Sequence, residues 1–343
     1  MKTIFQNKWL RRITLLLMVV FANTSYAQTI AATVPSNVSA PFLFTPSGAI
    51  AGGQGNMTMA TAPNSDDIFY STAKVIFNND DNALVGGYKF RNANPDNVST
   101  NAIGGFYKTS DNGAFTADVQ HFIIGTTNFQ PQGYDIGLGY SIKLGSNTSI
   151  GARLHYSSES ITQARSTLLV SDLSTDISGF VDGRDDNGEG IRLGFSIDNI
   201  GPPMDAAFIG GKKLLPLKSS IGASYTAIAD DDVIFTTATE FSKLLVPPVD
   251  PQNSVLGLAP NMQFSFGEEC NYKNLLFVRS GLSVSPNGDE NVVTVGLGIR
   301  LQNMMINTAY LIPFASQNFP SIARVSFVLF FQNSPFPKYS PLY

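Results

Sequence analysis

The 343-residue chain is poor in charged side chains and has no long apolar segment beyond its first 22 residues. Only 14% of its residues are charged, against about 25% in an ordinary soluble domain. This scarcity disfavours a typical cytosolic enzyme, and the lack of any run near the ~18 apolar residues of a membrane helix disfavours a helical membrane protein. Glycine and aromatic residues are abundant instead, with 30 Gly, 25 Phe and 12 Tyr. The composition leaves an all-β chain, either a secreted sandwich or an outer-membrane barrel, and the length suits one closed barrel of about 14 strands.

Cysteine, tryptophan and histidine are nearly absent. The lone Cys270 has no partner for an internal disulfide, and the only tryptophan, Trp9, precedes the expected mature chain. The two histidines, His121 and His155, lie on predicted strands and are interpreted as lumen or interface side chains. Nucleophile-elbow, zinc and phosphate-loop motifs are missing, and the acidic turn 182–189 does not fit a calcium loop. The sequence therefore predicts that the protein is not an enzyme and has no catalytic, cofactor-binding or metal-ligating residue.

The first 27 residues have the pattern of a secretory signal peptide. Four basic side chains precede the apolar segment 15–22, and Ser25, Tyr26 and Ala27 fit a cleavage site before Gln28. Without this segment, the expected mature chain has 18 basic and 26 acidic residues, a net charge of −8. Because nucleic-acid binding requires a basic face, this charge argues against a nucleic-acid partner.

From residue 81 onward, apolar and polar residues alternate over segments of about ten residues that end in turn signals. In 134–144, for example, Ile136, Leu138 and Tyr140 alternate with Gly137 and Gly139. Successive side chains of a strand face opposite sides of the sheet, so each segment has one apolar and one polar face. About ten residues can cross a bilayer obliquely, whereas sandwich strands typically have five or six, so segment length favours a barrel over a sandwich. Fourteen strands are predicted, the tenth weakly, near 81–90, 101–109, 114–124, 132–143, 147–158, 166–180, 189–200, 217–228, 232–243, 260–266, 274–285, 291–301, 304–312 and 321–331.

On the predicted strands the polar face holds charged residues, as a barrel lumen allows, whereas the apolar face is nearly free of charge. These residues are Lys143, Arg153, Arg192, Glu240, Arg279, Arg300 and Arg324. Residues 28–80 break the alternation and are rich in small residues, so we expect a compact plug in the barrel, with a loosely ordered periplasmic arm as the alternative. The predicted organisation is a signal peptide (1–27), a plug (28–80), an outer-membrane β-barrel (81–331) and a C-terminal tail (332–343).

Two connections predicted to face the outside are unusually apolar for loops. They span 244–249 and 311–314, and exposed apolar segments of this kind suggest contact with a protein or with lipid. Alternatively, they fold inward as a lid or lie at the membrane interface. The candidate partner-binding residues in and beside these loops are Leu245, Val246, Pro247, Pro248, Phe314 and Phe319.

Several segments, in order along most of the mature chain, resemble the PorV-type outer-membrane protein of the type IX secretion system. They are GQG at 53–55, ATAP at 60–63, YSTAK at 70–74, NIG at 199–201, LP at 215–216, IGA at 221–223, FSKLLVP at 241–247 and AYLIP at 309–313. The chain departs from the family in two ways. Ser71 and Thr72 stand where the family usually has Asn-Pro, and the chain is shorter than typical members, which affects partner specificity more than fold.

The resemblance implies a 14-stranded barrel with an N-terminal hatch, related in fold to long-chain fatty-acid transporters, in the outer membrane of a Gram-negative bacterium. It implies binding of the C-terminal signal domains of secreted proteins at a large translocon barrel and their transfer to a surface sortase or attachment complex, with no cofactor. Outer-membrane lipid is a further expected partner. Two alternatives remain. A hatched transporter of hydrophobic small molecules needs a continuous apolar cavity under the plug, and a passive porin needs an open, wet lumen.

Overall fold

The computed structural model describes residues 43, 46–59, 61–91, 98–124, 132–163, 166–202, 204–206, 211–213, 215–230, 232–245, 262–285, 291–314 and 321–331. The predicted signal peptide and C-terminal tail lie outside these residues. The strands are β1 (Asn82–Arg91), β2 (Val98–Ser110), β3 (Gly113–Ile124), β4 (Gln132–Lys143), β5 (Thr148–Gln163), β6 (Ser166–Arg184), β7 (Gly190–Ile200), β8 (Met204–Ala206), β9 (Gly211–Lys213), β10 (Lys218–Asp230), β11 (Val233–Leu244), β12 (Met262–Tyr272), β13 (Leu276–Val284), β14 (Val292–Leu301), β15 (Met304–Pro313) and β16 (Ile322–Phe330).

Fourteen of these strands form one closed antiparallel barrel, and β8 and β9 form a separate two-stranded sheet. Each barrel strand pairs with its neighbours along the chain, except that β7 pairs with β10 across the small sheet. Closure is made by β1 and β16, whose register runs from Ala83 opposite Phe330 to Arg91 opposite Ile322. A closed barrel has no exposed sheet edge and satisfies every strand's backbone through its neighbours, which is the condition for crossing a bilayer with strands. The predicted fold class is therefore confirmed.

The side chains that alternate in the sequence face the lumen and the outer wall of the barrel in turn. On β4, Leu138 is 65% exposed on the outer wall, whereas Asp135 is fully buried in the lumen. The same period of two holds on β7, β11 and β14. All seven charged residues assigned to the polar face by sequence are buried or half-buried, on the side opposite the exposed apolar residues.

The weakly predicted tenth strand is longer than expected. Sequence signals place a turn at 267–273, but β12 continues to Tyr272, paired with β11 on one side and β13 on the other. The turn instead follows at 273–275, where Lys273 and Asn274 both have positive φ (55° and 51°). Two successive left-handed residues match the twist of a tight hairpin, and Asn271 Oδ1 accepts the Asn274 N–H at 2.9 Å. The predicted turn is wrong because pairing with β11 and β13 keeps the polar residues Glu268, Glu269 and Asn271 in the strand.

Residues 46–59 and 61–80, here called the plug, fill the lumen. They contain two short α-helices, α1 (Ala49–Gly53) and α2 (Thr72–Val75), and one 3-10 helix (Ser65–Phe69). The 3-10 helix begins at a capping box. The Asn64 side chain accepts the Asp66 backbone N–H, and the Asp67 side chain accepts the Asn64 backbone N–H. Among the described residues, no helix is long and apolar enough to span a membrane. The plug crosses the lumen, since α1 contacts β13 to β16 and α2 contacts β4, β5 and β6 on the facing wall.

Candidate functional site: the plugged lumen and its mouth

The two ends of the barrel differ in the length of their connections. At one end, strands join through short turns such as 111–112 and 302–303. At the other end, the connections include 201–217, 245–261 and 314–321. Bacterial barrels have short periplasmic turns and longer external loops, so the second end faces outside and is here called the mouth. Leu245 and Phe314 lie at the mouth.

The carboxylate of Glu240 on β11 anchors the plug to the wall. Its Oε2 accepts the backbone N–H groups of Thr58 and Met59 at 2.8 and 2.7 Å, and its Oε1 accepts the Thr58 hydroxyl at 3.3 Å. All three residues are buried. Hydrogen bonds to an ionised acceptor are about twice as strong as neutral ones, so these three bonds to Glu240 hold the plug backbone at one height in the lumen.

A second group of wall residues holds the plug from β14 and β16. Arg324 donates through Nη2 to Asn56 Oδ1 at 2.7 Å, and Thr294 both accepts the Gly55 N–H and donates to the Gly53 carbonyl, each at 3.0 Å. On the opposite wall, Ser178 accepts the Ala73 N–H at 3.0 Å. The plug backbone is thus bonded to the wall on both sides of the lumen.

The plug has its own buried ion pair. Lys74 Nζ lies 2.7 Å from Asp67 Oδ1 and also donates to the Thr58 carbonyl and the Thr61 hydroxyl. Burial raises the pKa of Asp67 to about 7 and lowers the pKa of Lys74, while each charge opposes the other's shift. Because desolvation offsets much of the attraction, the pair fixes the conformation of the plug more than it adds net stability.

Glycines on the inner wall let the plug backbone approach closely. A Cβ added at Gly194 would lie 2.5 Å from the Met59 carbonyl oxygen, and one at Gly151 would lie 2.5 Å from the Ala73 nitrogen. Gly267, Gly281 and Gly296 would meet plug atoms in the same way. A larger residue at any of these wall positions would meet the plug.

A buried charge cluster lies on the inner wall of four adjacent strands, β3 to β6. Arg153 donates to both oxygens of Asp118 at 2.9 and 2.8 Å, to Asp176 at 3.0 Å and to Asp135. His155 lies on the same strand as Arg153, and its Nδ1 is 2.7 Å from Asp135 Oδ1. Every guanidinium nitrogen of Arg153 donates to a carboxylate, so the cluster ties four strands together.

The surroundings of His155 have the connectivity of a hydrolytic triad but not its chemistry. Ser174 Oγ lies 2.9 Å from His155 Nε2, and Asp135 lies at Nδ1. However, Asp176 Oδ1 also lies 3.2 Å from Nε2, so both ring nitrogens face carboxylates and the arrangement suits the doubly protonated ring. Such a ring has no lone pair to take a proton from Ser174, which is itself 1% exposed. His155 is a lumen side chain, as interpreted from sequence, although the sequence did not reveal the cluster.

Between the plug and the mouth lies a small polar cavity of about 50 Å³. Its lining includes Gln120, Asp176, Asp198 and Lys218 from the wall and Tyr70 from the plug. A much larger apolar groove of about 890 Å³ lies on the outer wall, lined by Leu84, Tyr107, Phe115, Leu138 and Tyr140. These five side chains are all exposed and belong to the apolar face of the strands. The larger cavity therefore faces lipid and not the lumen.

Two of the six candidate partner-binding residues can be placed. Leu245 is 44% exposed just after β11, and Phe314 is 40% exposed just after β15. Three strands separate β11 from β15, so at about 4.8 Å per strand the two residues lie about 19 Å apart around the rim. The other candidates, Val246, Pro247, Pro248 and Phe319, lie outside the described residues.

Solved structures of outer-membrane hydrocarbon transporters share this architecture. The chain is similar to the Ralstonia pickettii toluene transporter TbuX, with a TM-score of 0.57 and 10% identity over 84% of this chain and 98% of that one. It is also similar to the monoaromatic hydrocarbon channel CymD (TM-score 0.60, 9% identity, 84% and 98% covered) and to the P. putida toluene transporter TodX (TM-score 0.55, 10% identity, 84% and 99% covered). At such identities the likeness shows the fold alone. No curated protein matches this sequence.

A closed barrel with an apolar outer wall is typical of an outer-membrane protein of a Gram-negative bacterium. Within that class, residues 27–252 match the family described as type IX secretion system protein PorV, which is more than half of the chain. The chain therefore belongs to the PorV family. It is an outer-membrane component of the type IX secretion system and not an enzyme.

Proposed function

We propose that this protein binds the C-terminal signal domains of secreted proteins at the large translocon barrel and delivers them to the sortase or attachment complex at the cell surface. Its membership of the PorV family supports a role within this secretion system. The observation that carries the finer proposal is the combination of a filled lumen with exposed apolar residues, Leu245 and Phe314, at the mouth. A closed lumen leaves the mouth as the working surface, and apolar residues there favour binding of a protein.

The mouth can be tested by replacing Leu245 and Phe314 with aspartate in one variant. A C-terminal signal domain that packs against these side chains should lose about 30-fold or more in affinity, because a hot-spot residue contributes about 2 kcal/mol or more. Capture of the purified domain by the full-length barrel in detergent would be measured. Unchanged capture would remove these residues from the binding surface.

The matched control places aspartate at Leu144, which is 63% exposed in a short turn at the opposite end of the barrel. This variant replaces one exposed leucine with aspartate, as the mouth variant does at Leu245, and should capture the domain normally. Heat-modifiable migration in gels would verify that both variants form barrels. Equal losses in both variants would point to general damage rather than to a binding surface at the mouth.

A second experiment identifies partners without assuming a cargo. The tagged protein would be recovered from its own outer membrane in mild detergent and analysed by mass spectrometry. We expect a very large barrel together with exported proteins that share one C-terminal domain. Recovery of the barrel alone, with small apolar compounds bound, would argue for a transporter instead.

The second candidate function is transport of hydrophobic small molecules past a movable hatch. The likeness to proteins described as toluene transporters favours it. The cavity between plug and wall argues against it, since about 50 Å³ with a polar lining is far below the roughly 300–1,000 Å³ of typical ligand sites. A role as a passive porin has less support still, because the plug crosses the lumen.

A disulfide between plug and wall separates the first two candidates. A Cβ added at Gly52 would lie 3.3 Å from the Ala309 Cβ on β15, near the usual separation of about 3.5–4.5 Å in a disulfide. The variant would be Gly52→Cys with Ala309→Cys in a Cys270→Ser background. If the protein works at its mouth, cross-linking should leave capture of the signal domain unchanged. Loss of function on oxidation, restored by reduction, would show that the plug must move.

A further inference from the structure

The polar cavity below the mouth is shaped by a bulge in β7. Between Thr175 and Ile177 of β6 there is one residue, while β7 has two, Asp198 and Asn199, between Ile197 and Ile200. Both bulge residues are buried in the lumen, and Asn199 has a φ of +62°. Its N–H donates to Asp176 Oδ1 at 2.7 Å. Bulges often re-aim side chains beside functional sites, and this bulge turns Asp198 and Asn199 inward together.

Asp198 has one satisfied and one unsatisfied carboxylate oxygen. Oδ2 accepts the Ser196 hydroxyl at 3.1 Å and lies 3.6 Å from Lys218 Nζ. Oδ1 is buried and has no hydrogen-bond partner in the structure, although Asp198 is 9% exposed and lines the cavity. A buried carboxylate oxygen without a donor costs free energy that a ligand N–H can recover.

The charges around the cavity favour a cation. Asp198, Asp176, Arg153 and Lys218 line it, and Asp118 and Asp135 pair with Arg153 from the neighbouring strands. Arg153 is already shared among three carboxylates. Even with His155 charged, the four aspartates outnumber the three cations Arg153, Lys218 and His155, so the net charge of the group is negative. Lys218 lies beyond hydrogen-bond distance of Asp198, so it can swing aside without breaking a short contact.

The size of the cavity limits what can enter. A volume of about 50 Å³ is too small for a whole ligand but can take the end of a side chain. We propose that the cavity is a subsite for one ammonium or guanidinium group, which binds the carboxylate of Asp198 and is carried by the domain bound at the mouth. The identity of the carrier rests on the proposed function, whereas the subsite itself rests on the geometry of Asp198.

The test compares wild type with Asp198→Asn, which keeps the shape of the side chain and removes its charge. Immobilised C-terminal signal domain would capture the full-length barrel in detergent. Because a hydrogen bond between charged groups is lost, capture should weaken about 10- to 100-fold. The competitor probes are capped arginine (N-acetyl-arginine amide) and its uncharged isostere, capped citrulline. Capped arginine should compete with the domain for wild type, and capped citrulline should not.

Two further variants separate a specific effect from damage to the fold. Lys218→Met removes the competing cation and should strengthen capture, a gain that misfolding cannot imitate. Asp232→Asn removes the same charge from a turn at the opposite end, where the side chain is 48% exposed, and should change nothing. Equal capture by wild type and Asp198→Asn would overturn the proposal.

If the proposed function is wrong, the wild-type protein will capture no signal domain. Direct binding of the two probes, measured by saturation-transfer NMR, would then decide whether the subsite exists. Binding of capped arginine to wild type but not to Asp198→Asn would establish the subsite without that carrier. If the two probes behave alike on both proteins, the cavity holds water only and the inference falls.

Discussion

Glu240 offers the sharpest test of how the plug is held. Replacing it with alanine removes the acceptor for the Thr58 and Met59 backbone N–H groups, which are buried against β11. Neither donor can turn to bulk water while the plug remains seated. The expected result is a plug that detaches locally from the wall while the barrel itself stays closed, because the strand pairing of β11 does not involve the carboxylate.

The magnitude follows from the number of donors left without a partner. Each buried, unsatisfied N–H costs about 1–3 kcal/mol, so the local opening free energy should fall by about 2–6 kcal/mol. At 1.4 kcal/mol per factor of ten, the open population rises by about 30-fold to 10⁴-fold. Glu240→Gln keeps one acceptor oxygen and should give an intermediate change.

Hydrogen–deuterium exchange with mass spectrometry measures this opening directly. Peptides covering 56–63 should exchange faster in Glu240→Ala, since exchange of protected amides follows the local opening equilibrium. Thr239→Ala changes the neighbouring residue, whose side chain is exposed on the outer wall, and should leave these peptides protected. If the two variants exchange alike in a folded barrel, shape and packing alone hold the plug, and the reasoning from hydrogen bonds is refuted.

Two further predictions concern the same plug. Gly194→Val adds atoms where a Cβ would already lie 2.5 Å from the Met59 carbonyl oxygen, and should destabilise the seated plug by about 1–3 kcal/mol or more. The control in the same exchange measurement is Gly86→Val, because the nearest atom to a Cβ at that position is 4.0 Å away. Lys74→Met leaves Asp67 buried without its cation and should destabilise the plug by about 3–5 kcal/mol, whereas Lys74→Met with Asp67→Asn should recover much of the loss. A double variant no more stable than the single one would contradict this account of the pair.

The sequence predicted the barrel well because strand identity is a local property. Alternation over ten residues, as in β4, is visible without knowledge of any neighbour. The prediction was wrong where alternation weakens, at the end of β12, because pairing with β11 and β13 extends a strand through Glu268, Glu269 and Cys270 regardless of their polarity.

The polar network inside the barrel could not be predicted in the same way. The registers place Asp176 directly opposite Arg153 and bring Asp118 and Asp135 on the next strands within reach of its side chain, and registers depend on contacts between distant residues. The inward direction of Glu240 was predicted correctly, but its partners belong to the plug, about 180 residues earlier in the chain. For the candidate residues at the mouth, the sequence signal was local apolarity, and it remains a prediction for all six.

The way the plug joins the seam of the barrel bears on the order of biogenesis. The plug leads directly into β1, yet Asp66 accepts from Ser326 and Asn56 accepts from Arg324, both on β16. These contacts bridge 260 and 268 residues, and they form at the strand whose pairing with β1 closes the cylinder. Because these contacts need β16 in place, we expect the plug to be seated as the first and last strands meet. Insertion machinery that closes the barrel would therefore act on a precursor that already contains the plug. The plug would then serve as an internal template for the pairing of β1 with β16.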